Sequence, residues 1–396
     1  MTTPIRIGIV GLGNAGSHHA KYLLEGAVPD AVLAAVCDSG ASPERIEAVI
    51  AASKGSLARE AVFKDAAAMY ASGRIDAVLI ATPHPVHAQT AVAAFAAGLH
   101  VLVEKPIASH IRDARLINQA AERAGTVFGI MFSMRGFPLY RSIKGLISGG
   151  ELGAIRRVAW NATDWYRTQS YFQQSCWRGT WSGEGGGVLI NQAPHTIDLL
   201  QWLCGVPERL VADCGFGRHH DIETEDEAAA LLRFPGGATG TFVVSTGEAP
   251  GANRLEIAGD RGLLVAEKRS LTFWRTREPL STFTRTCPSP FGVPETWRIE
   301  IPLPGEDVYN VSVTRDFVQA IVRGDGQQLS PGIEGIRSLQ ISNGILMSAW
   351  TGGWVDLPLD ETSFMAEFER RAAASSPAVR PLQSGPVVDL AQSFHR

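Results

Sequence analysis

"IRIGIVGLGNAG", residues 5–16, decides how the first third of the chain reads. "IRIGIV" (5–10) is a short apolar run rich in β-branched residues, the pattern of a buried strand. Glycines at 11, 13 and 16 follow, and "SHHAKYLLEG" continues with helical periodicity. A second strand-like run, "VLAAVCD", ends at Asp38, 22 positions after the last glycine. A lone GxGxxG says little, but strand, glycine triad, helix and acid in this order predict a dinucleotide-binding turn. Gly11 permits the tight turn, Gly13 lets the backbone approach a pyrophosphate, and Gly16 lets helix and strand pack closely. Leu12, Asn14 and Ala15 complete the predicted phosphate loop, whose N–H groups at the helix start face the phosphates. Asp38 is expected to accept hydrogen bonds from the adenosine ribose. A 2′-phosphate there would meet a carboxylate, and the neighbouring Ser39 and Gly40 supply no cation. The expected cofactor is NAD, not NADP.

Outward from this turn the alternation continues. "SPERIEAVIAAS" opens with a Ser–Pro helix start. Strand "DAVLIAT" (76–82) leads to helix "PHPVHAQTAVAAFAAG", and strand "HVLVEKP" (100–106) to helix "SHIRDARLINQAAERAG". "TVFGIMF" closes the unit near Phe132. Strands alternating with helices predict a parallel sheet wound on both faces over residues 1–132. Ligands of such sheets sit beyond the carboxyl ends of the strands. Gly11, Asp38, Thr82 and Glu104–Lys105–Pro106 all fall there, so one ligand could meet them all. Lys105 lies where the nicotinamide half is expected; a plain surface charge is the alternative. His84 and His87 also follow a strand end. His87 is expected to face the cofactor from the first helical turn, or else to lie on the helix surface. His18 and His19 read as packing residues.

Beyond residue 133 the pattern changes. "GFPLYRSIKGLISGG" reads as a helix ending in paired glycines, and strand "IRRVAWNATDWY" follows. The loop at 164–184 is dense in tryptophan and arginine and is expected to cover the substrate. Asp164, Tyr166, Trp177 and Arg178 are its candidate substrate contacts, while Trp160, Trp165 and Trp181 divide between core and site. Next comes "GGGVLINQAPHTIDLLQWLCG" (185–205), read as a buried helix carrying Asn191, His195 and Asp198. Seven strand-like runs without intervening helices then predict a large, mostly antiparallel sheet. Two late helical stretches complete a second, α+β domain over 133–371. Residues 372–396, rich in Ala, Ser and Pro, read as an extended arm.

The whole chain has 396 residues, 45% hydrophobic and 19% charged, an ordinary globular composition with ample core. It carries 36 basic and 40 acidic side chains, net −4, which gives no reason to expect nucleic acid or an anionic membrane. No apolar run reaches the roughly 18 residues of a spanning helix, and the start runs straight into a strand, unlike a signal peptide. The cysteines at 37, 176, 204, 214 and 287 are scattered, with no CxxC or Cys/His ligand spacing. Neither a disulfide framework nor a metal site is expected, and a reducing cytoplasm is the simplest home.

"GLGNAG", "ATPHPVHAQTA", "VLVEKP", "GGGVLINQAPHTIDLLQWLCG" and the late "SPGIEGIRSLQISNGILMSA" together resemble the glucose–fructose oxidoreductase/inositol dehydrogenase (Gfo/Idh/MocA) family over roughly residues 5–360. The resemblance implies a Rossmann domain joined to an open α/β domain whose large sheet often forms an oligomer interface, here a dimer or tetramer. It implies hydride transfer between nicotinamide and a hydroxyl carbon of a sugar or cyclitol. It also implies catalysis by Lys105 of the Glu-Lys-Pro triplet and His195 of the glycine-led helix. The family commonly has aspartate four residues before that histidine, whereas this chain has Asn191. One helical turn would put Asn191 and His195 on one face. An aspartate there would hold its basic neighbours protonated; asparagine gives hydrogen bonds without charge. Asn191 is therefore read as an orienting or substrate-binding group, with Lys105 and His195 sharing the proton work. Asp198 either orients the imidazole or caps a neighbouring element. The expected reaction oxidises a ring secondary hydroxyl of a sugar, glycoside, anhydrosugar or cyclitol to a ketone. The alternative is a redox-neutral glycoside-cleaving hydrolase or lyase that uses bound NAD transiently. A sensor that binds NAD without chemistry would need neither Lys105 nor His195.

Overall fold

The computed structural model describes residues 3–305 and 309–375. They divide into two compact units, one of 3–133 with 309–339 and one of 134–305 with 340–375.

The first unit holds a six-stranded parallel sheet. Its strands are β1 (Ile5–Val10), β2 (Ala31–Cys37), β3 (Val62–Phe63), β4 (Ala77–Ile80), β5 (His100–Val103) and β6 (Phe128–Ile130), in the order β3-β2-β1-β4-β5-β6. Between them run helices α1 (Asn14–Leu24), α2 (Pro43–Ala52), α3 (Ala66–Ala71), α4 (His87–Ala96) and α5 (Ile111–Ala124). Strands covered on both faces lose their polar alternation, and Ile9, Ala77, Val78, Ile80, Val101 and Val103 are all fully buried. Each valine or isoleucine side chain removed from water stabilises the unit by about 1.5–3 kcal/mol. The Ser42–Pro43 start of α2 is as read from sequence: Ser42 Oγ accepts the Arg45 N–H.

The sequence boundary at 132 needs one correction. Helix Tyr309–Arg323 and the segment to 339 belong to this first unit, not the second. The reason is the edge of β6, whose backbone groups require partners. Ile130 N–H donates to the Ser330 carbonyl (3.1 Å), Ser330 Oγ to the Ile130 carbonyl (2.7 Å) and Gln328 Nε2 to the Phe128 carbonyl (2.7 Å). Val313, Phe317 and Val318 of the late helix are buried here.

The second unit is built on a nine-stranded sheet. Its strands are β7 (Ile155–Ala162), β8 (Arg209–Phe216), β9 (Glu225–Arg233), β10 (Thr239–Ser245), β11 (Asn253–Gly259), β12 (Gly262–Glu267), β13 (Ser270–Thr276), β14 (Thr296–Glu300) and β15 (Val355–Asp356). The order is β14-β13-β12-β11-β7-β10-β9-β8-β15, antiparallel throughout except for β7 beside β10. All seven strand-like runs read from the sequence are strands. Alternation leaves Ala228, Ala230 and Leu232 of β9 buried and Leu231 and Arg233 exposed, so one face of the sheet is packed and the other open. Helix α6 (Pro138–Ser148) packs on α8 (Pro194–Cys204), and α8 on β7; α7 (Gln169–Gln173) lies in the aromatic loop. Helix Glu361–Ala374 extends into the stretch read as an arm, with Asp360 as its N-cap; residues 376–396 lie outside the described residues. No helix among the described residues is long and apolar enough to cross a membrane.

Candidate active site

The β1–α1 turn has the geometry its glycines predict. Gly11 has φ +91°, and a Cβ on it would stand 2.6 Å from the Ala81 carbonyl oxygen. A Cβ on Gly16 would stand 1.8 Å from the Gly11 carbonyl oxygen, whereas one on Gly13 would meet nothing within 4 Å. The first and last glycines are thus required by the fold, and the middle one faces open space. Helix α1 starts at Asn14 with no side-chain cap, so Asn14, Ala15 and Gly16 present the first N–H groups of a helix to that space. Leu12 behaves differently. It is fully buried, and its N–H donates to Asp38 Oδ2 (2.6 Å). Asp38 Oδ1 accepts the Gly40 N–H (2.8 Å). These two bonds hold the carboxylate beside the phosphate turn, while Ser39 is exposed. At the end of β4 the Thr82 hydroxyl oxygen is buried without a hydrogen-bond partner among the described residues. Such a group invites a polar ligand atom. Helix start, open glycine, an acid held beside the turn and an orphaned hydroxyl fit a dinucleotide.

His87 does not face the cofactor. It is fully buried, and its ring nitrogens stand 2.9 Å from the Pro106 carbonyl and 2.9 Å from the Thr82 carbonyl. Both are committed to backbone, so His87 straps the β4 end to the Glu104–Pro106 turn. Burial pushes its pKa down against the hydrogen bonds that raise it. His84, read as a neighbour of the cofactor, is buried in a single 3-10 turn, His84–Val86, with its ring edge-on to His87 (5.9 Å). Glu104 Oε2 accepts the N–H of Lys105 (3.0 Å), and the Lys105 side chain is half-buried.

In the second unit the glycine-led stretch is helical only from Pro194, and Asn191 does not share a helix with His195. Proline lacks the N–H that a helix interior needs but suits its first turn. Residues 187–193 form tight turns in which Ile190 and Asn191 N–H both reach the Gly187 carbonyl (3.1 and 2.9 Å). The glycines let this turn lie against β9: a Cβ on Gly187 would stand 1.9 Å from the Glu225 carbonyl oxygen. Glu225 Oε1 in turn accepts Gly187 N–H (2.8 Å) and Leu189 N–H (3.0 Å). Burial pushes the Glu225 carboxyl up to about 7; these N–H donors oppose the shift and the nearby Glu184 adds to it.

His195, the second residue of α8, is buried. Asn191 is half-buried, and its amide Nδ2 donates to Glu184 Oε1. Glu184 is itself buried, with Oε2 accepting Gly179 N–H (2.7 Å). A carboxylate only accepts, so the nitrogen of Asn191 must face Glu184. Asp198 accepts Arg135 Nε (2.8 Å), Arg135 Nη2 (2.7 Å) and Gln201 Nε2 (2.8 Å) at full burial. It anchors α8.

The aromatic loop splits. Trp160, Trp165 and Trp181 are buried. Asp164 accepts from Asn253 Nδ2 (3.1 Å), whose Oδ1 accepts Trp160 Nε1 (3.1 Å), so this acid pins the loop root to β11. Trp177, Arg178 and Tyr166 remain half-buried. The Arg178 guanidinium lies over Trp177 (4.8 Å) and Tyr171 (4.3 Å) and donates to the Tyr171 hydroxyl, which also accepts Gln192 Nε2 (3.1 Å). Tyr171, Gln192 and Glu184 were not singled out from sequence. The acid directly preceding three glycines was the one available signal.

A family model described as the oxidoreductase family, NAD-binding Rossmann fold, matches residues 5–132. One described as the GFO/IDH/MocA C-terminal domain matches 140–265. The chain belongs to the Gfo/Idh/MocA family. It is 29% identical over 321 residues to levoglucosan dehydrogenase of Pseudarthrobacter phenanthrenivorans, covering 72% of this chain and 80% of that one. It is 25% identical to myo-inositol 2-dehydrogenase of Thermotoga maritima, over 66% and 75% of the two chains. Among solved structures, the WlbA dehydrogenase from Bordetella pertussis in complex with NADH and UDP-GlcNAcA aligns with a TM-score of 0.75 at 29% identity, covering 90% of this chain and 100% of that one. As a Gfo/Idh/MocA member the chain is an NAD-dependent oxidoreductase, and its β1–α1 turn fits the cofactor.

Proposed function

We propose that the enzyme oxidises a ring secondary hydroxyl of a sugar, glycoside, anhydrosugar or cyclitol to a ketone, with Lys105 and His195 handling the hydroxyl proton. The observation that carries this reading is the β1–α1 turn, where the open Gly13 and the uncapped start of α1 fit a dinucleotide beside the Glu104–Lys105–Pro106 strand end. Relatives named levoglucosan dehydrogenase and myo-inositol 2-dehydrogenase support the substrate class. Bound NAD supplies the hydride acceptor at C4 of its nicotinamide. The protein's part is to orient the ring and move the proton. Asn191 orients or binds the ring, Trp177 and Tyr166 cover the C–H face, and Arg178 donates to ring oxygens. Lys105 and His195 take the proton as the hydride leaves, the positioned acid–base work that usually contributes about 10²–10⁴ in rate. No metal has a part in this scheme. The half-exposed Leu231 and Trp274 on the open side of the nine-stranded sheet support a homodimer or tetramer through that face. The five free thiols accord with a cytoplasmic home.

The test is incubation with NAD and a panel of sugars, anhydrosugars, glycosides and cyclitols, following absorbance at the NADH band. A dehydrogenase accumulates NADH in step with ketone. Cleavage of a glycoside with no net NADH would replace this reading with the redox-neutral one.

A further inference from the structure

His19 read from sequence as a packing residue, yet it is fully buried and both its ring nitrogens are engaged. Nε2 stands 2.7 Å from Glu104 Oε1, and Nδ1 2.8 Å from the Tyr22 hydroxyl. The Tyr22 hydroxyl stands 2.7 Å from Thr314 Oγ1, and Thr314 Oγ1 donates to the Asn310 carbonyl (3.0 Å). All five residues lie in the first unit.

Donor and acceptor capacities fix every proton along this chain. A carbonyl only accepts, so the Thr314 hydroxyl proton goes to Asn310. Thr314 Oγ1 must then accept, and the Tyr22 proton goes to it. The Tyr22 oxygen is left as an acceptor, so His19 carries its proton on Nδ1. One contact remains, between Nε2 and Glu104 Oε1. An Nε2 lone pair against a carboxylate lone pair would be repulsive. That contact therefore holds one proton, either on the imidazole facing a carboxylate or on a carboxylic acid facing a neutral ring. In both cases the pair is neutral overall.

We propose that His19 is a positioning residue for the dehydrogenase reaction: the relay Thr314–Tyr22–His19 keeps one proton on the Glu104 contact, so that the carboxyl group preceding Lys105 brings no net negative charge to it. This rests on the proton-transfer role given to Lys105 above. A lysine that must accept a proton works best when nothing nearby holds it protonated, and an uncompensated carboxylate within about 4–6 Å would do so. Among the described residues, Tyr22 from α1 and His87 from α4 feel the Glu104 charge, and Lys105 follows it in the chain; His18 lies edge-on to His19 (6.1 Å) and Tyr22 (5.7 Å). The late helix contributes only the uncharged Thr314 to the relay.

Two measurements on the full chain test this. In the first, kcat/KM for oxidation is followed against pH. His19→Gln keeps a donor for Glu104 but cannot bring the extra proton, so the acidic limb moves up by about one unit. Adding Glu104→Gln removes the carboxylate and returns the limb to its wild-type position. An unmoved limb in H19Q, or one that E104Q does not restore, overturns the proposal; loss of packing alone would lower rates without this reversal. The second measurement needs no turnover. In the ¹⁵N-histidine-labelled enzyme, His19 carries a proton on Nδ1, and Tyr22→Phe releases that constraint. A His19 with its proton on Nε2 alone overturns the relay whether or not Lys105 proves catalytic. An inactive Lys105 role with Nδ1 protonated would instead count against the reading of Lys105.

Discussion

Asp38 and Asn191 show how far one side chain determines behaviour. The Asp38 carboxylate is held by two backbone N–H groups, so it cannot easily turn away from a 2′-phosphate. NAD should be preferred over NADP by at least about tenfold in kcat/KM, roughly 1.4 kcal/mol. Asp38→Ala with Ser39→Arg should move the preference toward NADP, and equal wild-type values for the two cofactors would contradict this. For Asn191 the structure reverses what the sequence alone suggests. Asn191→Asp, taken by itself, adds a charge beside His195 and should slow the enzyme near neutrality, with recovery at alkaline pH. Glu184 changes the sign. Two facing carboxylates share a proton and form a bond much like the native one only while that proton stays. The ratio of variant to wild-type kcat/KM should therefore fall as pH rises, and a variant that recovers in alkali would exclude this arrangement. Asp38 was legible because its partners lie in a short, ordered motif. Glu184 was not, since its role depends on a turn that brings residues 179, 184 and 191 together.

At the scale of the element, the stretch from Gly185 to Gly205 is a turn followed by a helix, and each half has its own anchor. The helix is fixed by the buried, forked Arg135–Asp198 pair. Arg135→Met leaves an uncompensated buried carboxylate and should cost about 3–5 kcal/mol, read as denaturant midpoint. The turn is fixed by Glu225. Its folded pKa of about 7 stands above the ordinary carboxyl value of 4.5. The folded state thus binds more protons between those values. The stability this contributes is complete below about 4.5 and is lost as pH rises through about 7. Glu225→Gln, which mimics the protonated acid, should show a smaller fall in Tm from pH 6 to 9 than the wild type. An equal fall in both would mean that Glu225 is ionised throughout. The strands of this unit were legible from alternation alone. The start of the helix was not, because apolar periodicity runs through both turn and helix and only Pro194 marks the boundary. His87 misled for a related reason: a histidine at a helix start beside a cofactor turn can face either way, and two carbonyls turn it inward.

At the scale of the whole molecule, the architecture followed from the order of patterns, β–α alternation and then consecutive strands. What the order could not convey is the return of residues 309–339 to the first unit, where they cover the β6 edge. That return also supplies Thr314, the far end of the relay behind Glu104. The account as a whole rests on Lys105 as a proton-transfer group at the nicotinamide end of a Rossmann site. The most direct measurement is made on Lys105→Ala, with kcat from NADH formation on a compound the wild type oxidises and NAD affinity by calorimetric titration. The account predicts kcat lower by about 10² or more with the NAD Kd within a few-fold of wild type. Near-normal turnover would contradict it, and would make Lys105 a structural or surface charge.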